Sequence, residues 1–419
     1  MLACSGAAAE AATATGAGAK RPPAIPAAAW ILVEGADGAG LAAKHPAASR
    51  AMASTTKLMT AYLALHELPL RKRLVAPPYH PIPGESLLGL EPGERMSVRD
   101  LLYGLLLPSG NDAAVTLAEG VAGSVSGFVR RMNAAARRLG LQDTSYSNPI
   151  GLDDPSNFSS PRDLAELAVR LRRNRLFRRI VDTPQTTLRT GAHPRTIVNR
   201  NDLILRVPWM NGVKTGYTPE AGNVLVGSGA RKGVTLLSVV MGTPSIATRD
   251  DDTLTLLRYG FSLYRRRTPL ERGEAVARAR VANAEDVELP LAAGRSLSVT
   301  ARRDESVDVT INAPETIDAP VMRGERLGTA TVTLEGEPVG KAPLLAGRSV
   351  RADTSGSPIA GLDDAVPGPR GVAWAVAAAI AAVLLGAIGW GFSRVRRRPS
   401  PSNPARSRAS APPARRRGR

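Results

Sequence analysis

Residues 53–60 read Ala53-Ser54-Thr55-Thr56-Lys57-Leu58-Met59-Thr60, and the Ser-x-x-Lys core of that stretch has the make-up of an activated nucleophile. A helix opened by Ser54 carries Lys57 one turn on, and a three-residue spacing sets both side chains on one face. The apolar residues that follow, Leu58, Met59 and 61–65, can bury that helix. Burial lowers a lysine's pKa, so a neutral amine could take the serine proton. A plain N-capped core helix fits the same eight residues.

Composition helps to separate the two readings. Of 55 basic residues only seven are lysine, so this chain uses arginine where positive charge alone is wanted. Arginine cannot serve as a base, because its pKa lies above about 12. A lysine among apolar neighbours is therefore informative, and none of the other six has a serine three residues before it.

The 419 residues allow two folded domains with extensions, and 43% apolar content supports real cores. The formal charge of +18 is unevenly spread, because residues 393–419 hold ten arginines and no acid, leaving +8 for the rest. A nucleic-acid reading of the net charge therefore loses most of its force, and no nucleic-acid partner is expected. A single cysteine, Cys4, excludes an intrachain disulfide. The four histidines form no H-E-x-x-H and no close pair, which speaks against a zinc peptidase. No G-x-S-x-G elbow supports a Ser-His-Asp arrangement.

Along the chain, residues 1–24 read as a leader or a disordered start. The beginning Met1-Leu2-Ala3-Cys4 resembles the end of an export signal whose front is missing, so translation is expected to begin upstream. Strands are expected over 30–34 and 41–43. Helices follow over 101–106 (capped by Ser97), 112–121, 126–139 and 161–171 (capped by Ser160). Strands return over 212–216, 223–226 and 234–241, before a helix over 250–264. Strands at both ends flanking a helical middle define an α/β domain over 25–268. Short alternating segments at 276–281, 297–300, 307–311 and 329–334 define a small all-β domain over 269–348, with a linker over 349–370. Residues 371–392 carry no charge over 22 positions, contain Trp374 and Trp390, and are followed by Arg394, Arg396, Arg397 and Arg398. That pattern predicts a transmembrane helix with residues 393–419 as a disordered cytoplasmic tail and everything before it outside the cell.

Two further triplets join the first motif: Ser109-Gly110-Asn111 and Lys214-Thr215-Gly216, each unique in the chain. Alone, the first is an ordinary turn and the second an ordinary strand end. In this order and in these settings, the set resembles that of β-lactamases and penicillin-binding proteins. The chain resembles, more narrowly, the serine-type D-alanyl-D-alanine carboxypeptidases of low molecular mass over roughly residues 25–265. Pro83-Gly84-Glu85-Ser86-Leu87, Ser147-Asn148-Pro149-Ile150-Gly151-Leu152-Asp153-Asp154, Ser160-Pro161-Arg162-Asp163-Leu164-Ala165 and Asn199-Arg200-Asn201 extend the likeness, and 274–345 looks like the family's second domain.

The resemblance implies a DD-peptidase fold and a site without metal or cofactor. Ser54 would attack the carbonyl between two terminal D-alanines of a peptidoglycan stem peptide, with Lys57 as base. Ser109 would pass a proton to the leaving amine, and Asn111 would position Lys57 and the substrate amide. Lys214 would supply fixed positive charge, Thr215 would bind the substrate carboxylate, and Gly216 would admit the substrate close to the strand. The backbone N–H groups of Ser54 and Tyr217 would form the oxyanion hole. Tyr217 stands where relatives often carry histidine. Lys214→Arg is expected to be milder than Lys57→Arg, because a positive charge is the main requirement at Lys214. Arg249 reads as an exposed arginine or an extra carboxylate contact. Pro108, Trp209 and Met210 read as pocket lining or core. Glu166 has Arg170 four residues on, not asparagine, which weighs against efficient antibiotic hydrolysis. β-Lactams are expected as covalent inhibitors. A D,D-endopeptidase or transpeptidase would carry the same motifs, and a non-catalytic, membrane-tethered penicillin sensor is the third possibility. The all-β domain would hold the catalytic domain away from the membrane or bind a partner.

Overall fold

A computed structural model describes residues 20–282 and 287–352. The leader before residue 20, most of the linker, the apolar stretch 371–392 and the arginine-rich tail lie outside the described residues. Among the described residues no helix is long and apolar enough to cross a membrane.

The α/β domain is organised by one antiparallel sheet of five strands: β1 (Ala29–Glu34), β2 (Gly40–Lys44), β3 (Met210–Thr218), β4 (Gly222–Arg231) and β5 (Val234–Thr243). Their spatial order is β2-β1-β5-β4-β3, so the first strands of the domain pair with its last. Trp30 lies opposite Val240 and Val33 opposite Leu237. Side chains alternate between faces along a strand. Ile31, Val33, Val224, Val226, Leu237, Val239 and Met241 enter the core under the helical middle. Trp30, Leu32, Leu225, Leu236 and Val240 enter a second core against the last helix. With both faces covered, β1 and the middle of β5 read as near-continuous apolar runs, broken in β5 by the buried Ser238.

The helical middle comprises α1 (Lys57–Glu67), α2 (Val98–Leu106), α3 (Asn111–Ala122), α4 (Val125–Leu139), α5 (Pro161–Arg172) and α6 (Arg175–Val181); α7 (Ile246–Leu263) backs the other face of the sheet. The starts are set by side-chain caps. Ser97 accepts from the N–H of Asp100, Ser160 from that of Asp163 and Ser245 from that of Thr248. Each such cap contributes about 1 kcal/mol. Ser245 is why α7 begins earlier than its apolar pattern suggests. Helices α3 and α4 stop at Gly123 and Gly140, whose φ values of 72° and 76° are the left-handed cap that glycine adopts without strain.

A six-stranded sheet and a two-stranded ribbon form the all-β part. Strand β6 (Tyr264–Leu270) pairs with β9 (Leu297–Arg302). The larger sheet contains β7 (Ala275–Ala282), β8 (Glu288–Ala293), β10 (Val307–Asn312), β11 (Thr316–Asp318), β12 (Arg326–Leu334) and β13 (Glu337–Ala346), in the order β10-β12-β13-β8-β7-β11. Its apolar face gathers Val281, Leu289, Leu291, Val332 and Leu344. Strands β8 and β13 have no clear strand pattern, because Pro290, Pro338, Gly340 and Pro343 interrupt them.

Candidate active site

Ser54 does not open an α-helix. It lies in a 3-10 turn, Ala53–Thr56, and α1 begins at Lys57. In a 3-10 turn residues i and i+3 eclipse, which suits contact better than α-helical spacing. Lys57 Nζ sits 3.0 Å from Ser54 Oγ. The turn is held from within by the Thr55 hydroxyl, which donates to the Met52 carbonyl at 2.6 Å. Ala53 enters it at φ 48°, a left-handed conformation that a non-glycine residue adopts only when its surroundings impose it.

Those surroundings are two close backbone passages. A Cβ on Gly151 would lie 2.0 Å from the Ala53 carbonyl oxygen, and one on Gly216 would lie 3.0 Å from Ser54 N. The first and third motifs thus meet at backbone level. Asn148 shapes the loop that brings Gly151 in: its Oδ1 accepts from the N–H groups of Ile150, Gly151 and Leu152 at 3.2, 2.6 and 3.2 Å. The same fold of the loop aims the Ile150 carbonyl at Lys57 Nζ, 2.5 Å away.

Lys57 is fully buried, and burial is the main reason its pKa falls to about 7; Glu85 works against that fall, Arg200 adds to it and Asp112 opposes it. The Ile150 carbonyl can only accept a hydrogen bond. It therefore holds an N–H of the neutral amine and leaves the nitrogen lone pair free to face the Ser54 hydroxyl.

The second motif lies between α2 and α3. Ser109 has φ 69° and is buried, and among the described residues its Oγ has no partner. An unpaired buried hydroxyl is costly unless something arrives to use it. Asn111 begins α3. Its Nδ2 donates to Glu85 Oε2 at 2.8 Å, whereas Lys57 Nζ is bonded to Ser54 and Ile150. The expected Asn111 hold on Lys57 is thus taken by a backbone carbonyl, which carries no side-chain signature in sequence. Asp112 accepts from the N–H groups of Leu88, Gly89 and Leu90 at 2.7–2.8 Å, strapping that segment to the start of α3.

On β3, Lys214 is as enclosed as Lys57, and its Nζ donates to the Thr215 carbonyl at 2.9 Å. Burial, then Lys57, Arg200 and Arg249, push its pKa well below the usual lysine range. The surroundings of Lys214 thus work against the positive charge expected there. The enclosure also revises the expectation of a mild Lys214→Arg, because the larger guanidinium must be overpacked there. Tyr217 is 65% exposed, consistent with a residue placed for its backbone. Arg249 is buried, not exposed. Its Nη2 and Nε reach Asp250 Oδ1 at 2.7 and 3.0 Å, a pairing invisible in a run of charged residues. Met210 is core, and Trp209 packs edge-on against Phe261 at 5.4 Å between ring centres. Pro108 lines a cleft of about 770 Å³ with Leu87, Thr196, Val198 and Arg200. Glu166 forms an exposed pair with Arg170 at 2.6 Å, and so has no place in the site.

A buried lysine against a serine hydroxyl, a second serine without a partner and a lysine-bearing strand edge define a serine acyl-transfer site. Residues 16–245 match the family Peptidase_S11, D-alanyl-D-alanine carboxypeptidase, and residues 264–352 match the C-terminal domain of penicillin-binding protein 5. The chain belongs to the D-alanyl-D-alanine carboxypeptidase family. It is 32% identical over 325 residues to the D-alanyl-D-alanine carboxypeptidase DacF of Bacillus subtilis, covering 75% of this chain and 84% of that one. Among solved structures it is similar to penicillin-binding protein 5 from Haemophilus influenzae, with TM-score 0.56 and 29% identity over 80% of this chain and all of that one. It is likewise similar to the Streptomyces K15 DD-transpeptidase, with TM-score 0.55 and 34% identity over 58% of this chain and all of that one.

Gly151→Ala tests the backbone passage. At φ 91° and with its new Cβ 2.0 Å from the Ala53 carbonyl, the variant should lose on the order of 3 kcal/mol of stability. A denaturant titration reads that loss. An unchanged midpoint would mean that the loop does not press on the nucleophile's turn.

Proposed function

We propose that the protein is a serine D,D-carboxypeptidase that removes the terminal D-alanine from peptidoglycan stem peptides through an acyl-enzyme. The observation that carries this is Lys57 Nζ, buried, 3.0 Å from Ser54 Oγ and anchored by the Ile150 carbonyl. Neutral Lys57 takes the Ser54 proton as Oγ attacks the carbonyl between the two D-alanines. Backbone N–H groups of Ser54 and Tyr217 receive the developing oxyanion. The C–N bond then breaks, and Ser109 relays the proton to the departing amine. Thr215 and the Lys214 charge hold the substrate's terminal carboxylate, and Asn111 holds its backbone amide. Water, activated by Lys57, releases the acyl group. β-Lactams acylate Ser54 by the same first step. The direct test is D-alanine release from a diacylated peptide ending in D-Ala-D-Ala, alongside covalent labelling by fluorescent penicillin; neither signal appearing would sink the reading.

The likeness to a DD-transpeptidase supports a second reading, in which an amine replaces water as acceptor. Both share one acyl-enzyme, so products from a pentapeptide and from a crosslinked dimer separate them.

The uncharged stretch 371–392 and the arginines behind it support a single membrane span with the catalytic domain outside the cell. A chain ending at residue 350 should leave the membrane fraction while keeping its penicillin labelling. Retention of that shorter chain in membranes would place the anchor elsewhere.

A further inference from the structure

The segment around Glu85, which links the paired strands Arg73–Val75 and Arg95–Ser97, does more than connect them. Its backbone is tied to the start of α3, with Asn111 N–H donating to the Ser86 carbonyl at 2.8 Å and Asp112 capturing the next three amides. Within this strap half-buried Glu85 turns towards the site. Its Oε2 accepts from the Tyr79 hydroxyl and from Asn111 Nδ2, the latter at 2.8 Å, while Oε1 accepts from the Ile82 N–H at 3.3 Å.

A side-chain amide has a donor end and an acceptor end, and nothing in its shape tells them apart. An ionised carboxylate has no donor. Asn111 can therefore face Glu85 with its NH2 end alone; the reversed amide would set two acceptors against each other at a half-buried contact. The acceptor Oδ1 is left for an N–H group of a bound peptide. We propose that Glu85 is a positioning residue of this active site: its carboxylate decides which end of the Asn111 amide faces the reacting groups. The inference rests on the acyl-enzyme reading above and adds to it a residue outside the three motifs.

The electrostatics agree with this geometry. Lys57 is faced by Glu85 and Asp112, which favour its protonated form, and by Arg200, which disfavours it; Lys214 lies near enough for Lys57 to depress it in turn. Around Glu85 stand Tyr79 and Asn111, with Lys57 in reach of its charge. Burial and then Glu85 itself raise the Tyr79 pKa, so its hydroxyl remains a donor at every working pH. The Glu85 carboxylate thus keeps its two side-chain donors, Tyr79 and Asn111, and its charge offsets part of the burial that depresses Lys57.

The test is the pH profile of penicillin acylation of the full chain. Glu85→Gln keeps the shape but removes the charge, and its own amide accepts either end of Asn111. The plateau rate should fall about tenfold, the scale of one charge-assisted hydrogen bond. The acid limb should move down by about half a pH unit, because Lys57 loses a group that favours its proton. In an Asn111→Ala background Glu85→Gln should cause no further fall in the plateau rate. A role confined to packing would lower the melting temperature, leave the limb in place and multiply with Asn111→Ala. An unmoved limb, or multiplied losses, would overturn the assignment. If Glu85→Gln does not fold, Tyr79→Phe serves: it removes one donor and keeps the charge, so the plateau should fall with the limb unmoved, and an unchanged plateau overturns the proposal. Wild-type labelling separates the two levels of argument, since its failure would overturn the functional reading itself.

Discussion

Ser54→Ala abolishes both covalent penicillin labelling and D-alanine release, with a loss of roughly a thousandfold or more, as for removal of other serine nucleophiles. The fold should survive, because the Ser54 side chain caps no helix and its hydroxyl is engaged with Lys57 Nζ. Ser109 cannot stand in. Its Oγ is buried without a partner among the described residues, and Lys57 is turned to Ser54 and Ile150. The measurement is mass spectrometry of the penicillin adduct together with an assay for free D-alanine. An adduct in the variant, on any residue, would remove Ser54 from the centre of the mechanism.

Lys57→Arg should be as inactive as Lys57→Ala, again by a thousandfold or so. Arginine keeps the charge and roughly the reach but holds its proton at any working pH. The wild-type pH profile belongs to the same prediction. The amine's pKa is lowered to about 7, mainly by burial. The neutral form, which is the base, is populated above that value and lost below it. Acylation should therefore be half its plateau near pH 7 and fall about tenfold per pH unit below. Lys214→Arg also suffers, through overpacking, but it keeps a competent base and so should retain more activity than Lys57→Arg. Retention of most activity by Lys57→Arg, or a flat acid limb, would require another base.

Much of this site is legible because it is written in side chains. A serine and a lysine three apart, a lone Ser-Gly-Asn and a lone Lys-Thr-Gly are visible in a chain with so few lysines. The strands of the sheet are legible too, since burial on both faces leaves near-continuous apolar runs such as residues 236–241. What escapes sequence is carried by backbone or by pairing at a distance. The Ile150 carbonyl that anchors Lys57 would be the same atom in any residue. The 3-10 turn at Ser54 depends on Gly151 and Gly216 pressing from two distant segments. Arg249 looks like a surface charge until Asp250 and the fold enclose it. Glu85 sits in a Pro/Gly-rich connection, where nothing local says that its carboxylate meets Asn111.

The pairing of β1 with β5 has a consequence for how the molecule comes to be active. Trp30 emerges early in synthesis, but its partner Val240 is made only after all three motifs. Until then β1 has an open edge on the side that β5 will fill, and the strand carrying Lys214 has no closed sheet to belong to. Contacts of such long sequence separation form late and slowly. The reactive serine is therefore expected to be assembled only once β5 is in place, so a chain interrupted before residue 234 should carry all three motifs without activity. Penicillin labelling of a nascent or truncated chain thus reports completed folding, not the presence of its reactive residues.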